Sequence, residues 1–118
     1  MNLNERFPVT PAKAAALCER MRRLGVRAAD IEETFTRGGG RGGQKINKTS
    51  NRVVLSYAPL GLVVRTQRER QRSLNRFLAL RELVDRIEMR TSPGTSARLK
   101  EMERVRRQKA RRERRRNP

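Results

Sequence analysis

A run of glycines near the middle of the chain most restricts how it can fold. Five of the eight glycines fall within residues 38–43, a density that no packed core requires. Glycine lets the backbone take positive φ and approach a ligand closely, at a cost in chain entropy. The segment is therefore predicted to be a loop where backbone meets a ligand. Basic residues on both sides of the glycines indicate a polyanionic ligand: Arg37, Arg41, Lys45 and Lys48.

The net charge points to the same kind of ligand. Thirty Lys and Arg residues stand against 12 acidic residues, which gives +18 over 118 residues. This excess is larger than solubility requires, and it implies a nucleic acid or an anionic surface as partner. The length allows one small domain plus a tail.

Composition also argues against several kinds of site. The chain has no His and one Cys, which argues against a conventional zinc site and against Ser-His or Cys-His catalysis, and we expect no cofactor. A single cysteine forms no internal disulfide, which fits a reducing cytosol. No apolar run is long enough for a membrane helix, and Met1 to Thr10 lacks the apolar stretch of a signal peptide. We expect a cytoplasmic bacterial protein, or a mitochondrial matrix protein if the chain is a processed form.

Residues 1–29 are predicted to form an N-terminal segment with an amphipathic helix over about 10–24. Thr10 suits the N-cap, Pro11 the first helical position and Gly25 the end. Apolar residues at helical spacing define one face, on which Cys18 is interpreted as a small core residue. This face consists of Ala14, Leu17, Cys18, Met21 and Leu24.

Residues 30–90 are predicted to form a small α+β domain. Its three-stranded, mainly antiparallel sheet would pack with two helices, the N-terminal one and a second over about 73–89. Strands are expected at 31–36, 52–57 and 62–67, and the last two should form a hairpin across the turn at 58–61. The start of the second helix stays open between residues 71 and 73.

Residues 91–118 are predicted to be a linker, broken at Pro93-Gly94, and an Arg-rich C-terminal tail. From Ser96 onward, eleven basic residues accompany three acids and few apolar residues. Such a segment buries too little surface to offset its ordering entropy, so we expect it to be disordered or to become helical on RNA. A flexible solubilising segment is the alternative.

The glycine segment ends in a motif that continues into the hairpin and the second helix. The motif consists of Gly42-Gly43-Gln44, Lys45-Ile-Asn-Lys-Thr-Ser50, the hairpin around Pro59 and Gly61, Gln67, Arg70 and Asn75-Arg76. In these residues and their order, the chain resembles the catalytic domain of class I peptide chain release factors. The layout, a hydrolytic domain plus a basic tail without room for stop-codon-reading domains, is similar to short homologues that rescue stalled ribosomes. Two positions depart from the family pattern: Arg41 stands where proline or alanine is common, and Gln71 where serine is usual.

The resemblance implies codon-independent hydrolysis of the peptidyl-tRNA ester, with the active site completed by the ribosome. Gly42, Gly43 and Gln44 would be the catalytic residues, with no metal. The partners would be peptidyl-tRNA and the rRNA of the large-subunit peptidyl transferase centre. The protein would be a monomer and would not bind a membrane. Candidate RNA-binding residues are Arg37, Arg41, Lys45, Asn47, Lys48, Arg52, Arg70, Arg76, Arg104, Arg106, Arg107, Lys109, Arg111, Arg112, Arg114, Arg115 and Arg116.

Four alternatives stay open at this point. The chain could be a non-catalytic rRNA-binding ribosomal or assembly protein that uses the glycine-arginine loop for RNA contact, although the intact Gly-Gly-Gln argues against it. Asn47 and Lys48 could form a turn at the entry to a strand. The arginines at 65, 68, 70, 72 and 76 could be a solvated face. A variant of the main hypothesis acts on released large subunits that carry a peptidyl-tRNA.

Overall fold

The computed structural model describes residues 1–3, 6–36 and 52–116. Its helices and strands are α1 (Pro11–Leu24), β1 (Ile31–Thr36), β2 (Arg52–Tyr57), β3 (Leu62–Thr66), α2 (Arg72–Thr91) and α3 (Ala97–Arg116). The chain divides into two compact units, Met1–Val84 and Asp85–Pro118, so that α2 belongs to the first unit up to Val84. The architecture of strands and helices confirms the predicted α+β class.

The first helix confirms the start and end signals in its sequence. The side chain of Thr10 accepts a hydrogen bond from the Lys13 N–H at 3.4 Å, and Pro11 lies in the first turn, where a missing N–H costs nothing. Gly25 takes φ 72°, a left-handed conformation that glycine adopts without strain, and its N–H donates to the Arg22 carbonyl. These local signals place both ends of α1 without help from tertiary contacts.

The buried stripe of α1 is narrower than its sequence pattern suggests. Leu17 and Met21, one turn apart, are buried. Cys18 is exposed, so its interpretation as a core residue is wrong. Successive residues lie about 100° apart around a helix, so Cys18 lies at the edge of the buried face, whose centre is near Leu17.

The three strands form one antiparallel sheet in the order β1-β2-β3. β1 pairs with β2 from Ile31 opposite Tyr57 to Thr36 opposite Arg52. β2 pairs with β3 from Tyr57 opposite Leu62, which confirms the predicted hairpin. The hairpin turn is a short 3₁₀ segment that ends at Gly61. The φ of Gly61 is 64°, which lies in the left-handed region that glycine adopts without strain. The two pairings fix which residues of each strand face the core.

Alternate residues of the sheet supply one side of the core. Val53, Leu55 and Tyr57 of β2 are buried, while the residues between them are half-buried. Burying a large apolar side chain stabilises the fold by about 1.5–3 kcal/mol, so this alternation fixes the register of the sheet. Further buried apolar residues of the first unit are Phe7, Leu17, Met21, Val26, Ile31, Val64, Phe77, Ala79, Leu80, Leu83 and Val84.

The second helix begins at Arg72 and ends at Thr91, and its start lies within the predicted window of 71–73. In the described ranges, no helix is long and apolar enough to cross a lipid bilayer. Within the same ranges, no group of three His, Cys, Asp or Glu side chains is placed to hold a metal ion.

Candidate functional site

The pairing of β1 with β2 continues to the residues that border the glycine-rich segment. Thr36, the last residue of β1, is the partner of Arg52, the first residue of β2. The two described residues that border 37–51 are therefore neighbours on adjacent strands. The predicted site residues within 37–51 lie outside the described residues: Arg37, Arg41, Gly42, Gly43, Gln44, Lys45, Asn47 and Lys48.

An exposed aromatic ring lies at this end of the sheet. Phe35 is 39% exposed, although its cross-strand partner Val53 is fully buried. The guanidinium carbon of Arg72, at the start of α2, lies 4.7 Å from the centroid of the Phe35 ring. Such a contact between a cation and an aromatic face contributes about 0.5–1 kcal/mol at an exposed site. It joins β1 to α2 beside the residues that precede the glycine segment.

The sequence interpretation did not include Phe35 in the site. Its signal was weak: the chain has only three Phe and one Tyr, and an aromatic residue in a short strand is ordinarily assigned to the core. A ring stacked against a guanidinium and open to solvent is also a surface on which a nucleic-acid base can stack. Phe35 and Arg72 are therefore added to the candidate site.

Arg76 has a different environment from the one predicted. Its side chain is only 3% exposed, and its Nε donates to Glu33 Oε2 of β1 at 2.8 Å. A second nitrogen of the guanidinium donates to the Asn2 carbonyl at 2.7 Å, and the group lies over the Phe7 ring. A guanidinium enclosed in this way offers RNA almost no surface. We therefore assign Arg76 to the fold, where it joins the N-terminal segment and β1 to α2.

Asn75 positions the basic stretch between β3 and α2. It is fully buried, and its amide forms two hydrogen bonds with the backbone of Glu69. The Glu69 N–H donates to Oδ1 at 2.9 Å, and Nδ2 donates to the Glu69 carbonyl at 2.8 Å. This pair of bonds holds the chain between Arg68 and Arg70, both of which are exposed. Asn75 belonged to the family motif, but the sequence alone did not indicate this role.

Two arginines, Arg52 and Arg65, belong to the sheet, and they differ in exposure. Arg52 is half-buried at the first position of β2, next to the glycine segment. Arg65 of β3 is exposed and lies opposite Val54, on the sheet face away from the buried residues. The predicted candidates Arg52 and Arg70 thus keep surface for a phosphate, which Arg76 does not.

The C-terminal segment is a helix in the structure, in contrast to the expectation of a segment that is disordered without RNA. The Ser96 side chain accepts a hydrogen bond from the Leu99 N–H at 3.2 Å and so supplies the N-cap. Farther along the helix, ion pairs join residues that are one turn apart. In one of them Arg107 donates to Glu103 at 2.7 Å. These local interactions stabilise a helix that has few apolar residues.

A second ion pair of α3 joins Glu101 to Arg104. The side-chain hydrogen bond from Arg104 lowers the pKa of the Glu101 carboxyl below its ordinary value, and the same bond raises the pKa of Arg104. Both side chains are exposed, so the pair contributes modestly to stability. The predicted RNA-binding residues of α3 are all exposed: Arg104, Arg106, Arg107, Lys109, Arg111, Arg112, Arg114, Arg115 and Arg116.

The turn that leads into α3 contains a buried carboxylate. Glu88 is 2% exposed, and the Thr95 hydroxyl donates to its Oε2 at 2.8 Å. The backbone N–H of Ser92 donates to the Glu88 carbonyl, and Arg98 of α3 forms an ion pair with Asp85 at 3.3 Å. Buried carboxylates require such partners. The cluster ties the end of α2 to the beginning of α3 within the second unit.

Comparison with known proteins identifies the family. The RF-1 domain model matches residues 19–118, which includes every strand, α2, α3 and the glycine segment. The chain belongs to the RF-1 domain family. This confirms the resemblance to release factors that the sequence indicated.

Relatives of this RF-1 domain chain include proteins named for rescue and for termination. The human "Mitochondrial translation release factor in rescue" is 37% identical over 87 residues, which cover 74% of this chain and 52% of the relative. The Danio rerio protein of the same name is 45% identical over 64 residues, or 54% of this chain and 41% of the relative. "Peptide chain release factor 1" of Leuconostoc citreum is 44% identical over 59 residues, or 50% of this chain and 16% of the relative. The chain thus spans about half or less of these relatives.

Proposed function

We propose that the protein is a ribosome-dependent peptidyl-tRNA hydrolase that releases nascent peptides from stalled ribosomes without reading a codon. The carrying observation is that Gly42-Gly43-Gln44 lies within the matched RF-1 domain, between two strands paired up to Thr36 and Arg52. The relatives named "in rescue" support the codon-independent form. Its partners are then the ribosome and peptidyl-tRNA, in any compartment that contains ribosomes.

The proposed chemistry uses a backbone group. Hydrolysis of an ester passes through a tetrahedral intermediate that carries an oxyanion, and one well-aimed N–H donor stabilises it by about 2.7–4 kcal/mol. The Gln44 N–H is the proposed donor. Gly42 and Gly43 lack a Cβ that would obstruct the 3′ end of the tRNA.

The base in this mechanism does not come from the chain. A glutamine side chain is neutral, so it positions or excludes water by donating and accepting hydrogen bonds but cannot take a proton at neutral pH. The sequence contains no His. We assign the base to the RNA, at the 2′-hydroxyl of the terminal adenosine, so that protein and ribosome each supply part of the active site.

The described cations would bring the glycine segment to the ribosome. Arg52 begins β2, and Arg72 lies on the Phe35 ring near the end of β1. Arg68 and Arg70 lie on the stretch that Asn75 holds, and Arg65 is exposed on β3. Guanidinium groups bind phosphate through paired hydrogen bonds and also stack on bases. Helix α3 would act as the anchor, because its charges make binding to RNA strong and dependent on salt.

The test is peptide release from ribosomes stalled on a truncated mRNA. Wild-type protein is compared with Gln44→Ala and with Gln71→Ala, which makes the same side-chain change at an exposed position outside the motif. We expect release by wild type and Gln71→Ala, and ribosome binding without release by Gln44→Ala. Gly43→Ala should behave like Gln44→Ala.

A second mRNA extends the test to codon independence. Ribosomes whose mRNA continues beyond the A site should release little peptide if the protein acts in rescue. Equal release from both complexes, whatever codon is present, would indicate a less selective hydrolase. Release from neither, with binding intact, would favour the non-catalytic rRNA-binding alternative.

A further inference from the structure

Six basic side chains form a straight row along α3. They occupy positions i, i+4, i+7, i+11, i+14 and i+15, and at 3.6 residues per turn they fall within an arc of about 100°. All six are exposed. This basic row consists of Lys100, Arg104, Arg107, Arg111, Arg114 and Arg115.

The other side of α3 has a different composition. It carries the apolar residues Leu99, Met102 and Val105, of which Met102 is 47% and Val105 is 38% exposed. The remaining basic residues of the helix are interleaved with these apolar groups and with Glu113. A surface of closely spaced cations without apolar interruption therefore exists on one side only.

Two carboxylates border the basic row and form hydrogen bonds with two of its arginines. Arg104 bonds to Glu101, and Arg107 donates to Glu103 Oε1 at 2.7 Å. A guanidinium has five N–H donors, and the bond to Glu103 occupies one of them. The Glu103 carboxylate therefore places Arg107 on the row, but its negative charge also repels a phosphate and competes with it for the guanidinium donors.

We propose that the basic row binds successive phosphates of one unpaired RNA strand that lies along α3. The proposal rests on the proposed function, which makes RNA the partner, and it adds which face is used and which form of RNA fits. From Lys100 to Arg115 the row extends about 22 Å at 1.5 Å per residue.

The shape of the row favours an unpaired strand over a duplex. An RNA duplex is A-form and each of its strands winds around the duplex axis, so over about 22 Å neither strand stays beside a straight row. A flexible single strand has no such constraint. A helix inserted into a duplex groove would instead contact both strands and use cations from all sides of α3.

Anionic membranes fit the row less well. A helix that lies on a lipid surface buries a broad apolar face, and the apolar face here consists of three large residues on the side away from the row. RNA is therefore the occupant that we infer, and lipid binding is one of the outcomes of the test.

The test compares two full-length variants of equal charge. The row variant combines Lys100→Gln, Arg104→Gln, Arg107→Gln and Arg111→Gln. The control variant combines Arg106→Gln, Lys109→Gln, Arg112→Gln and Arg116→Gln, which also removes one lysine and three arginines. Binding to a fluorescent oligouridine and to an RNA duplex of equal length is measured across a salt series, and circular dichroism checks helix content.

The row variant should lose at least tenfold more affinity for oligouridine than the control variant. Because each phosphate contact with a single strand contributes about 0.7 to the salt slope, the row variant should lower that slope by roughly three and the control variant by less than one. Equal losses in the two variants would overturn the proposal, as would tighter binding of the duplex by the wild type.

A gain-of-affinity pair guards against a loss of helix in the row variant. Glu103→Gln removes a negative charge beside the row and should tighten oligouridine binding several-fold, whereas Glu113→Gln on the other side should change it less than twofold. If the two substitutions have the same effect, the one-sided surface does not exist.

Vesicles of anionic phospholipid form a further arm of the test. If the row variant loses vesicle binding but retains RNA binding, the row is a lipid-binding surface and the proposal is wrong.

These measurements use isolated RNA, so their failure is separate from failure of the proposed function. If both faces contribute equally but peptide release requires Gln44, the hydrolase assignment stands and the one-sided surface is wrong. If the row binds oligouridine as expected but no peptide is released, the surface stands and the hydrolase assignment is wrong.

Discussion

Removal of Arg76 should destabilise the first unit strongly, because its charge is paired out of contact with water. The side chains of Arg76 and Glu33 are 3% and 11% exposed, and they meet at 2.8 Å. Loss of one partner from a buried pair leaves an uncompensated charge and costs about 3–5 kcal/mol. A unit of this size has a total stability of about 4–13 kcal/mol, at 0.05–0.15 kcal/mol per residue. Arg76→Met should therefore lower the melting temperature by about 12 °C or more.

The chain contains a matched exposed pair for comparison. Arg22 and Glu19 meet at 2.7 Å, with side chains 79% and 63% exposed. The residue types are the same and the distance is nearly the same, so burial is the main difference between the two pairs. Arg22→Met should cost no more than about 1 kcal/mol, because water and salt screen an exposed pair.

Chemical unfolding of four proteins forms a double-mutant cycle: wild type, Arg76→Met, Glu33→Met, and both changes together. The double variant should recover much of the lost stability, because no buried charge remains unpaired. The reasoning is refuted if Arg76→Met costs less than about 1 kcal/mol, or if the two single losses add in the double variant. Weaker RNA binding with unchanged stability would return Arg76 to the RNA-binding surface.

Three further predictions concern single residues. Asn75→Ala removes both hydrogen bonds to the Glu69 backbone, so it should cost about 1–3 kcal/mol in denaturant unfolding and speed amide exchange at Glu69; unchanged exchange would contradict this role. Cys18→Ser should change stability by less than about 0.5 kcal/mol, and in the native protein Cys18 should react with a thiol reagent nearly as fast as in the unfolded chain, whereas protection by folding would place it in the core. The hydrogen bond from Arg104 lowers the pKa of Glu101 in the folded protein, so this pair stabilises α3 above the ordinary carboxyl pKa and is lost as pH falls through the lowered value. Helix content by circular dichroism should fall in that acid range, and Glu101→Gln should remove this step; identical profiles would contradict it.

The family was predictable because its signals lie close together in sequence. Gly42-Gly43-Gln44 and the motif after it indicated the family before any tertiary contact was known, and the match to the RF-1 domain confirms it. Phe35 and Asn75 were not recognised as parts of the site. Phe35 contacts Arg72, 37 positions away, and the role of Asn75 depends on its hydrogen bonds to the backbone of Glu69.

The sequence by itself determined the ends of α1, the β2–β3 hairpin and the family. Thr10, Pro11 and Gly25 set the ends of α1, and the alternation of β2 with the turn at Gly61 set the hairpin. Each of these signals acts within a few residues, through backbone conformation or a single hydrogen bond. Because these signals do not depend on tertiary contacts, the sequence pattern was enough to predict the ends of α1 and the hairpin.

Only the tertiary structure decided which charges serve the fold and which face solvent. Arg70 and Arg76 both belong to the family motif in the sequence. Arg76 forms an ion pair with Glu33, 43 residues earlier, and is buried, whereas Arg70 is exposed. The exposure of Cys18 was decided in the same way, by which side of α1 meets the core. A side chain's partner depends on how distant segments pack, and no local spacing contains that information.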